Sequence, residues 1–505
     1  MAVPNIALSK QEETAATTSK LWEFDLIQLA ILLAVTFFSV YYTPLVVNKL
    51  VFLVFLPLAY RSNKDFLWLA WFFIIIDAPG RLFSATAADD LRIPLYSLAG
   101  GVSLEFSELF LFTYLLKFFI AKPPLKFVFK PAFKVFGIVI LLFLFYSLLL
   151  GMGVSSIVDA VKYLLPWGWV VIVPYFVDSP EKVFKATRLL LPIVFLALIS
   201  QIYVFTTGQY WDYVLRGAEF RFSLAVEEGG RASRASASVY IILFCLIQAL
   251  FYLASDKKML KSDNYLAAVV FCSAVSIFLS ATRGWTLAFG FLIFCSVFYL
   301  SGGGKSKKLL NLGIASAVIL YILQWSVPLV QYQFEAALER FSTLLLLADG
   351  DVTAGGTLER LDVRGKLVMK RFNISPIIGW GFSDGYFDHA DAHVGQQNIL
   401  LNVGLVGFIY LNILYFYFCI KTWLYARTKA IQQQWGKALT IYVFGFMIIF
   451  LIHGSSSQFW GFIMHFDQTD KIMTYSFIFA SINALVLSVY DEGEPQEAQP
   501  NSQAA

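Results

Sequence analysis

The chain has few charged residues for its length. Only 14% of its 505 residues are Asp, Glu, Lys or Arg, whereas 58% are hydrophobic. A soluble globular chain is about 25% charged and rarely much more than half apolar. The net charge of +4 is also too small to indicate binding to nucleic acid. This shortage of charge excludes an ordinary soluble domain and indicates a polytopic membrane protein, with the lipid bilayer as a partner.

Cysteine and histidine are equally scarce, with 4 residues of each. No two cysteines have the Cys-x-x-Cys spacing, and all lie in apolar stretches, where packing is expected rather than a disulfide or a metal. They are Cys245, Cys272, Cys295 and Cys419. Two histidines lie in Asp388-His389-Ala390-Asp391-Ala392-His393, but this spacing is not a strong metal signature. We therefore expect no metal and no cofactor.

Long apolar runs predict an all-α polytopic integral membrane protein with about 14 (roughly 12–14) transmembrane helices. Helices 1–11 are expected within 23–327 and helices 12–14 within 399–490. Two outer loops interrupt these runs, one at 206–236 and a large, partly helical one at 328–398. Residues 1–22 lack a signal-peptide pattern, and we predict that they and the acidic residues 491–505 are disordered cytoplasmic tails.

Basic residues in the short loops predict the orientation of the chain. With the N-terminus in the cytoplasm, the lysine-rich loops lie inside, as positively charged loops of membrane proteins do. The 328–398 loop then faces the periplasm or the cell exterior. The outer positive charges are mostly arginine, whose planar guanidinium suits bidentate contacts to phosphate or carboxylate. Alternatively, these arginines form salt bridges with loop acids such as Glu227, Glu228 and Glu359.

The outer loop at 206–236 interleaves aromatic residues with arginines. Aromatic rings can stack on the C–H faces of sugars, which makes the loop a candidate glycan-binding segment. Equally, Trp and Tyr collect at membrane interfaces without any functional role. The candidate binding residues of this loop are Trp211, Arg216, Arg221, Arg231 and Arg234.

A tight outer turn joins two predicted spans at Ser280-Ala281-Thr282-Arg283-Gly284, and Trp285 follows it at the membrane interface. An arginine held by two helix ends is rigid and faces the head-group layer. That position suits the diphosphate of a lipid-linked donor. The alternative is an arginine that extends to lipid phosphates without a catalytic role.

The large loop carries an amphipathic stretch from Arg360 to Phe372, in which apolar residues and Arg364 recur at helical spacing. The apolar side of this helix is expected to lie on the membrane helices. The segment that follows, Pro376-Ile377-Ile378-Gly379-Trp380-Gly381, contains the residues that typically end a helix.

His393 precedes the next predicted span, and Gly404 and Gly407 follow within that span. A histidine at such an entrance is either a base that works near neutral pH or a hydrogen-bonded interfacial residue. The two glycines would let this helix approach its neighbours closely.

These three motifs resemble those of the O-antigen ligase and O-antigen polymerase superfamily of bacterial surface-glycan assembly. The Ser-x-Ser/Thr-Arg-Gly signature of that family is similar to Ser280–Gly284. Its Arg followed by Pro-x-x-Gly-x-Gly is similar to Arg360 with the segment Pro376–Gly381. Its His-[Asn/Ser/Gln]-x9-Gly-x2-Gly pattern is similar to the segment from His393 to Gly407.

One residue departs from this pattern, because Val394 replaces the polar residue that usually follows the histidine. Gln396, Gln397 or Asn398 would then have to supply the missing amide.

The resemblance implies a metal-independent glycosyltransferase that works on the outer leaflet with an undecaprenyl-diphosphate-linked glycan as donor. It implies that Arg283 and Arg360 neutralise the leaving diphosphate and that His393 activates the acceptor hydroxyl. Asp391 would orient this histidine, and Arg364 and Trp285 are further substrate-binding candidates. The location implied is the bacterial inner (cytoplasmic) membrane, with the active site facing the periplasm or outside and with other polysaccharide-assembly proteins as candidate partners.

The resemblance leaves two activities open, and composition leaves a third. A polymerase that extends the lipid-linked chain is preferred, because the chain is long and because the outer loop at 206–236 could hold a second glycan. A ligase that transfers the glycan to lipid A-core or another acceptor is the close alternative. A transporter or flippase is a third, different class, but the sequence has no visible internal halves, and intramembrane charges such as Asp159 and Lys162 are sparse.

Overall fold

The computed structural model describes most of the chain. The described residues are 5–77, 94–97, 103–121, 126–207, 211–215, 239–255, 262–280, 283–299, 359–391, 394–452 and 469–491, with single residues between 310 and 342. Helices make up nearly all of this part of the chain.

Eight helices lie among the described residues up to Thr207. They are α1 (Asn5–Tyr42), α2 (Leu45–Arg61), α3 (Asp65–Asp77), α4 (Phe106–Ala121), α5 (Lys130–Leu150), α6 (Val154–Leu164), α7 (Trp169–Phe176) and α8 (Pro180–Thr207). A 3-10 turn at Leu165–Gly168 separates α6 from α7, and it contains Pro166, which lacks the N–H that an α-helix would use. A short antiparallel hairpin, β1 (Leu95–Ser97) with β2 (Ser103–Glu105), precedes α4.

The remaining described helices begin with a short helix in the first predicted outer loop, α9 (Trp211–Leu215). It is followed by α10 (Val239–Ala254), α11 (Asp263–Leu279), α12 (Arg283–Tyr299), α13 (Glu359–Phe372), α14 (Asp384–Phe387), α15 (Gly395–Arg427), α16 (Lys429–Trp435), α17 (Thr440–Ile452) and α18 (Thr469–Asp491). Of these, α13 and α14 lie within the large predicted loop.

Contacts between distant parts of the chain define one end of the helix bundle, which we call the lysine end. Lys117 of α4 forms a 2.5 Å salt bridge with Asp65 at the start of α3. Lys421 of α15 donates a hydrogen bond at 2.7 Å to the carbonyl of Val128, just beyond α4. Lys117 and Lys421 therefore stabilise helix termini, in addition to any effect that lysines have on the orientation of the chain in the membrane.

We call the opposite end of the bundle the loop end. There α5 ends at Leu150, α15 begins at Gly395, and residues 359–391 of the large loop lie against both. Lys117 and Lys421 thus lie at the end of the bundle opposite to the large loop. Which side of the membrane each end faces stays a prediction.

Helices without a polar face form the centre of the bundle. Phe66–Ile75 of α3 and Ile241–Ala254 of α10 are buried on all sides, and α18 packs on both helices. Aromatic rings connect them, since Phe73 stacks on Phe477 of α18 with centroids 5.5 Å apart. A helix that is apolar all round belongs in a core of this kind.

The fold is that of an all-α membrane protein. Six helical segments are long and apolar enough to cross a bilayer, and four shorter apolar helices accompany them in the described residues. The small hairpin β1–β2 is the exception to the all-α prediction. The total of about 14 spans stays a prediction.

The N-terminal region corrects one expectation. We predicted a disordered tail over residues 1–22, but α1 begins at Asn5 and continues without interruption into the first apolar stretch. Residues 7–20 contain Ala, Glu, Gln, Lys and Leu, which have high helix propensity and extend the helix that the apolar residues begin.

Candidate functional site at the loop end

Helix α13 is the amphipathic helix predicted from Arg360 to Phe372, and it begins one residue earlier, at Glu359. Gly365, Val368 and Phe372 are buried, and their spacing of three and four residues defines one face. This face packs on α15, as expected from the pattern. A methyl group at Gly365 would make an ordinary van der Waals contact with the Gln397 amide at 3.4 Å.

The segment after α13 is bonded to the backbone of α15. The Trp380 N–H donates to the Leu401 carbonyl at 2.9 Å, and the Gly381 N–H donates to the Asn402 carbonyl at 2.7 Å. The Asn402 side-chain amide returns a bond to the Gly381 carbonyl at 2.6 Å. Gly381 and Asn402 therefore hold each other through both backbone and side chain.

A second pair of hydrogen bonds joins the loop to α15 about one helical turn further along the chain. The N–H groups of Leu405 and Val406 donate to the carbonyls of Pro376 and Ile377, at 2.9 Å and 3.1 Å. Between the two pairs of bonds, Gly404 has φ +65° and ψ −173°, which breaks α15 into two helical parts. The loop segment thus supplies partners for helix ends that would otherwise have unpaired groups inside an apolar bundle.

Glycine is required at this crossing. A methyl group on Gly404 would overlap the backbone of Ile377, Ile378 and Gly379, and one on Gly379 would overlap Asn402 and Gly404. Both residues also have positive φ, which L side chains rarely adopt. The Pro-x-x-Gly-x-Gly motif and the glycine pair after His393 are therefore parts of one interlocked unit. Sequence reasoning found both motifs but not the break.

The loop is also fixed to the ends of α5 and α6. The Phe382 N–H donates to the Ser147 hydroxyl of α5 at 2.7 Å. The Asp384 carboxylate accepts a 2.8 Å bond from the Gly153 N–H and a bond from the Ser156 hydroxyl. The Ser156 and Gly153 hydrogen bonds, in that order, lower the pKa of the Asp384 carboxyl. The carboxylate form is thus the one that attaches the loop to α6.

Asp391 lies where the predicted site meets the start of α15. Asn398 holds its backbone on both sides, since the Asn398 side chain accepts from the Asp391 N–H at 3.0 Å and donates to its carbonyl. Arg364 of α13 approaches the Asp391 carboxylate at 3.5 Å. Two predicted site residues, Arg364 and Asp391, are therefore brought together from different elements.

His393 itself lies outside the described residues. Its described neighbours Asp391 and Val394 are joined by a 3.1 Å bond from the Val394 N–H to the Asp391 carbonyl. The Asn398 amide is bonded to the Asp391 backbone through its oxygen and through one N–H. Gln396 and Gln397 are therefore the preferred candidates to replace the polar residue missing at position 394.

Arg371 and Trp380 form a stacked pair that the sequence analysis did not include among the binding residues. The Arg371 guanidinium lies 3.6 Å from the centre of the Trp380 ring, and the Trp380 indole N–H donates to the Arg371 carbonyl at 3.1 Å. The Arg371 Nε is buried and has no hydrogen-bond partner among the described residues. A positive group held this way is pre-oriented for an anion.

Arginines recur on one side of α13. At about 100° per residue, Arg360, Arg364 and Arg371 fall within roughly 40° of one another. The helix backbone at Arg360 is described, whereas its side chain is not. The amphipathic spacing was the signal that could have identified Arg371 from the sequence.

The predicted turn around Arg283 falls between α11 and α12, and its residues 281–282 lie outside the described residues. Ser280 ends α11 and is buried, with its hydroxyl bonded to the Ile277 carbonyl at 2.6 Å. Helix α12 begins at Arg283, whose side chain lies outside the described part. Trp285 is buried and packs edge-on against Tyr240 of α10 at 5.7 Å, so its ring has a packing role between these helices.

A further charged residue lies at this end of the bundle. Lys471, in the first turn of α18, is only 2% exposed. One turn later, the Thr474 hydroxyl bonds to the Tyr240 carbonyl, which links this helix start to that of α10. The signal available in the sequence was the pair Asp470-Lys471 at the beginning of an apolar stretch, and we had not used it.

The first outer loop contributes one described candidate. Trp211 of α9 stacks on Tyr203 of α8 with centroids 3.9 Å apart, and its indole N–H has no partner among the described residues. The four arginines predicted there lie outside the described residues: Arg216, Arg221, Arg231 and Arg234. Their role stays a prediction.

Metal binding is not indicated in the part of the chain that the structure describes, where no three His, Cys, Asp or Glu residues cluster. His393 is not part of that search, and the expectation of no metal stays a prediction. One cavity of about 520 Å³ opens at the lysine end, between Lys126, Lys182 and Ser488. It lies at the opposite end from the described site residues Arg364, Asp391 and Trp285.

The fold and the loop end define an all-α membrane protein in which a segment of the large loop is inserted into a broken helix. Comparison with models of known protein families finds none that matches the chain, and comparison with curated proteins finds no similar one.

Proposed function

We propose that this chain is a membrane glycosyltransferase that acts on the outer leaflet. It transfers an undecaprenyl-diphosphate-linked oligosaccharide to an acceptor glycan hydroxyl, most simply as an O-antigen or exopolysaccharide polymerase. A ligase that uses lipid A-core or another acceptor is the closest alternative, because the two activities differ only in the acceptor.

One observation carries the proposal. The segment Pro376–Gly381 fills the break of α15 at Gly404, so two of the three motifs that resemble the glycan-assembly family form one unit. Motifs that are distant in sequence have no reason to interlock if each matches the family pattern by chance. The unit joins a helix with three arginines on one side to the helix start that follows His393.

The chemistry follows from these residue types. The acceptor oxygen attacks the anomeric carbon of the donor sugar, the acceptor proton passes to His393, and the bond to the diphosphate oxygen breaks. Arg283 and Arg360 neutralise the leaving lipid diphosphate, with Arg364 and Arg371 as further positive groups on α13. Asp391, held by Asn398, is the candidate to orient the histidine.

A transporter is the competing class, and the break in α15 is the observation that could favour it, because transporters use discontinuous helices near the bilayer midplane. The break here lies nine residues from the start of a 33-residue helix, however, and close to the loop end. The loop backbone is hydrogen-bonded to α15 on both sides of the break. The position of the break therefore supports the enzyme.

The test uses purified protein with a lipid-linked repeat unit, in the presence or absence of lipid A-core. We expect a ladder of lengths for a polymerase and a core-linked product for a ligase. Arg283→Ala and Arg360→Ala should abolish transfer in folded protein, with partial rescue by Lys, which lacks the bidentate fork. His393→Ala should lower turnover by about 10²–10⁴-fold.

Two results would contradict parts of this proposal separately. Loss of transfer in EDTA, restored by a divalent ion, would make the Asp388–His393 segment a metal site. Absence of any product from several lipid-linked glycans, combined with substrate transport into vesicles, would replace the enzyme with the transporter.

A further inference from the structure

The lipid-facing side of α15 marks the depth of the bilayer. From Gly395 to Gly404 no residue is exposed, because the loop covers this part of the helix. From Leu405 to Leu424 the helix exposes a continuous row of large apolar side chains. These 20 residues span about 30 Å, which equals the thickness of the hydrocarbon core. The hydrocarbon boundary at the loop end therefore lies near Leu405.

The loop reaches this boundary. Leu405 and Val406 are bonded to the carbonyls of Pro376 and Ile377, so the turn that contains these two residues lies at the same depth. The turn exposes apolar side chains, with Ile374 and Ile377 each 65% exposed. An exposed isoleucine at the edge of a lipid-facing surface continues that surface.

Helix α13 extends the same surface outward. Val363 and Leu367 are 57% and 68% exposed, on the side opposite the buried residues that pack on α15. Lys366 and Lys370 are exposed beside them. A helix that combines an outward apolar stripe with flanking basic residues is typical of elements that lie in the plane of a membrane interface.

We infer that α13 and the turn at residues 374–378 are docked into the lipid leaflet at the loop end. Val363, Leu367, Ile374 and Ile377 lie among the upper acyl chains, and the two lysines lie at the level of the phosphate head groups. The continuity of this apolar surface with the lipid-facing row of α15 identifies lipid as the occupant. The inference does not depend on the proposed enzymatic activity.

A consequence is that the arginine side of α13 faces along the membrane surface at head-group depth. Arg364 and Arg371 follow Val363 and Leu367 around the helix by roughly 40–100°. An anionic group attached to a lipid would meet them without leaving the bilayer. Helix α13 and the turn at residues 374–378 are thus membrane-bound elements, whereas the part of the loop around Asp388 is exposed to water.

The experiment measures the depth of spin labels on single cysteines introduced at Leu367 and Ile377. The full chain is reconstituted in vesicles of phosphatidylethanolamine and phosphatidylglycerol. Ile413→Cys, on the exposed row of α15, serves as the hydrocarbon reference, and Asp388→Cys, exposed on the loop, serves as the water reference. The unsubstituted chain, labelled in parallel, gives the background from its own four cysteines.

Power saturation with oxygen and with a water-soluble nickel complex then distinguishes the outcomes. We expect labels at 367 and 377 to be relaxed more by oxygen than by nickel, as at 413, and the label at 388 to show the reverse. Labels at 367 and 377 that behave like the label at 388 would overturn the inference. So would labels shielded from both reagents and broadened by spin–spin contact, because a second copy of the chain would then cover the surface.

Discussion

At the residue scale, Arg371 and Trp380 form a stacked pair that orients a positive charge of the described loop. Their guanidinium and ring stack at 3.6 Å, and an indole hydrogen bond to the Arg371 carbonyl prevents the ring from turning away. Stacked cation–π pairs contribute about 0.5–2 kcal/mol, depending on how much water they exclude. The pair therefore fixes the direction of a positive charge beside α15.

The first prediction concerns this pair and rests on the proposed function. Arg371→Lys keeps the charge but removes the planar stack, so we expect the KM for the lipid-linked donor to rise by about 2–30-fold with little change in kcat. The matched control is Arg427→Lys, because Arg427 stacks on Trp423 at 4.2 Å but at the lysine end. An unchanged KM for Arg371→Lys, or a fall in kcat alone, would remove Arg371 from the donor site.

A second prediction at this scale concerns pH. Hydrogen bonds from Ser156 and Gly153 lower the pKa of Asp384 in the folded protein. Its charged form therefore adds stability that is present above the unfolded pKa of about 3.9 and is lost as pH falls through the lower folded pKa. Asp384→Asn should lower the melting temperature at pH 7, and the difference from the parent protein should shrink below about pH 4.

The control for this measurement is Asp388→Asn, an exposed acidic residue one turn later. It should leave the melting temperature nearly unchanged at every pH. A melting-temperature difference for Asp384→Asn that is independent of pH would mean that the shape of the side chain, and not its charge, attaches the loop to α6.

At the element scale, α15 is the helix on which the site depends. Its first nine residues are covered by the loop, its break at Gly404 receives the loop backbone, and its second part faces lipid. In a continuous helix, the N–H groups of Leu405 and Val406 would donate to carbonyls of the helix itself. They would then not be available for the carbonyls of Pro376 and Ile377. The break thus makes the attachment of the loop a backbone interaction, which holds it more firmly than side-chain packing alone.

We predict that Gly404→Ala destabilises the protein by about 2–5 kcal/mol. Adoption of positive φ by an L residue costs about 1–2 kcal/mol, and the overlap with Gly379 adds a further cost of about 1–3 kcal/mol. Gly137→Ala in α5 is the control, because a methyl group there meets nothing within 4 Å and should be neutral or slightly stabilising. Equal melting temperatures for Gly404→Ala and the parent protein in detergent would show that the break is not required.

At the scale of the whole molecule, the prediction is topological. Cysteines introduced at Ala354, Ala218 and the exposed Asp388 should react with an impermeant reagent in intact cells, because all lie in predicted outer loops. Cysteines at Ser306 and at Ala430, which is exposed in α16 at the lysine end, should react only after permeabilisation. Labelling of Ser306→Cys in intact cells would reverse the orientation and remove the loop from the outer leaflet.

The sequence alone determined the class of the protein. The shortage of charge and the long apolar runs can be read directly from the sequence. They indicate helices that span a bilayer, because unpaired backbone N–H and C=O groups are not tolerated there. The amphipathic pattern also determined α13, whose buried Val368 and Phe372 follow the helical period. Residues 1–22 were wrongly assigned to a disordered tail, because a polar segment can continue a helix that apolar residues have begun.

Only the tertiary structure decided how the motifs meet. The glycines permit the crossing, but no sequence pattern shows that Pro376–Gly381 and Gly404 are partners, because the hydrogen bonds that join them are formed by backbone groups. The same holds for Asn398, one of three amides that the pattern offered beside the histidine, because its bonds to Asp391 cannot be read from the sequence. Side-chain types thus indicated the chemistry, whereas packing of distant segments decided which of those side chains come together.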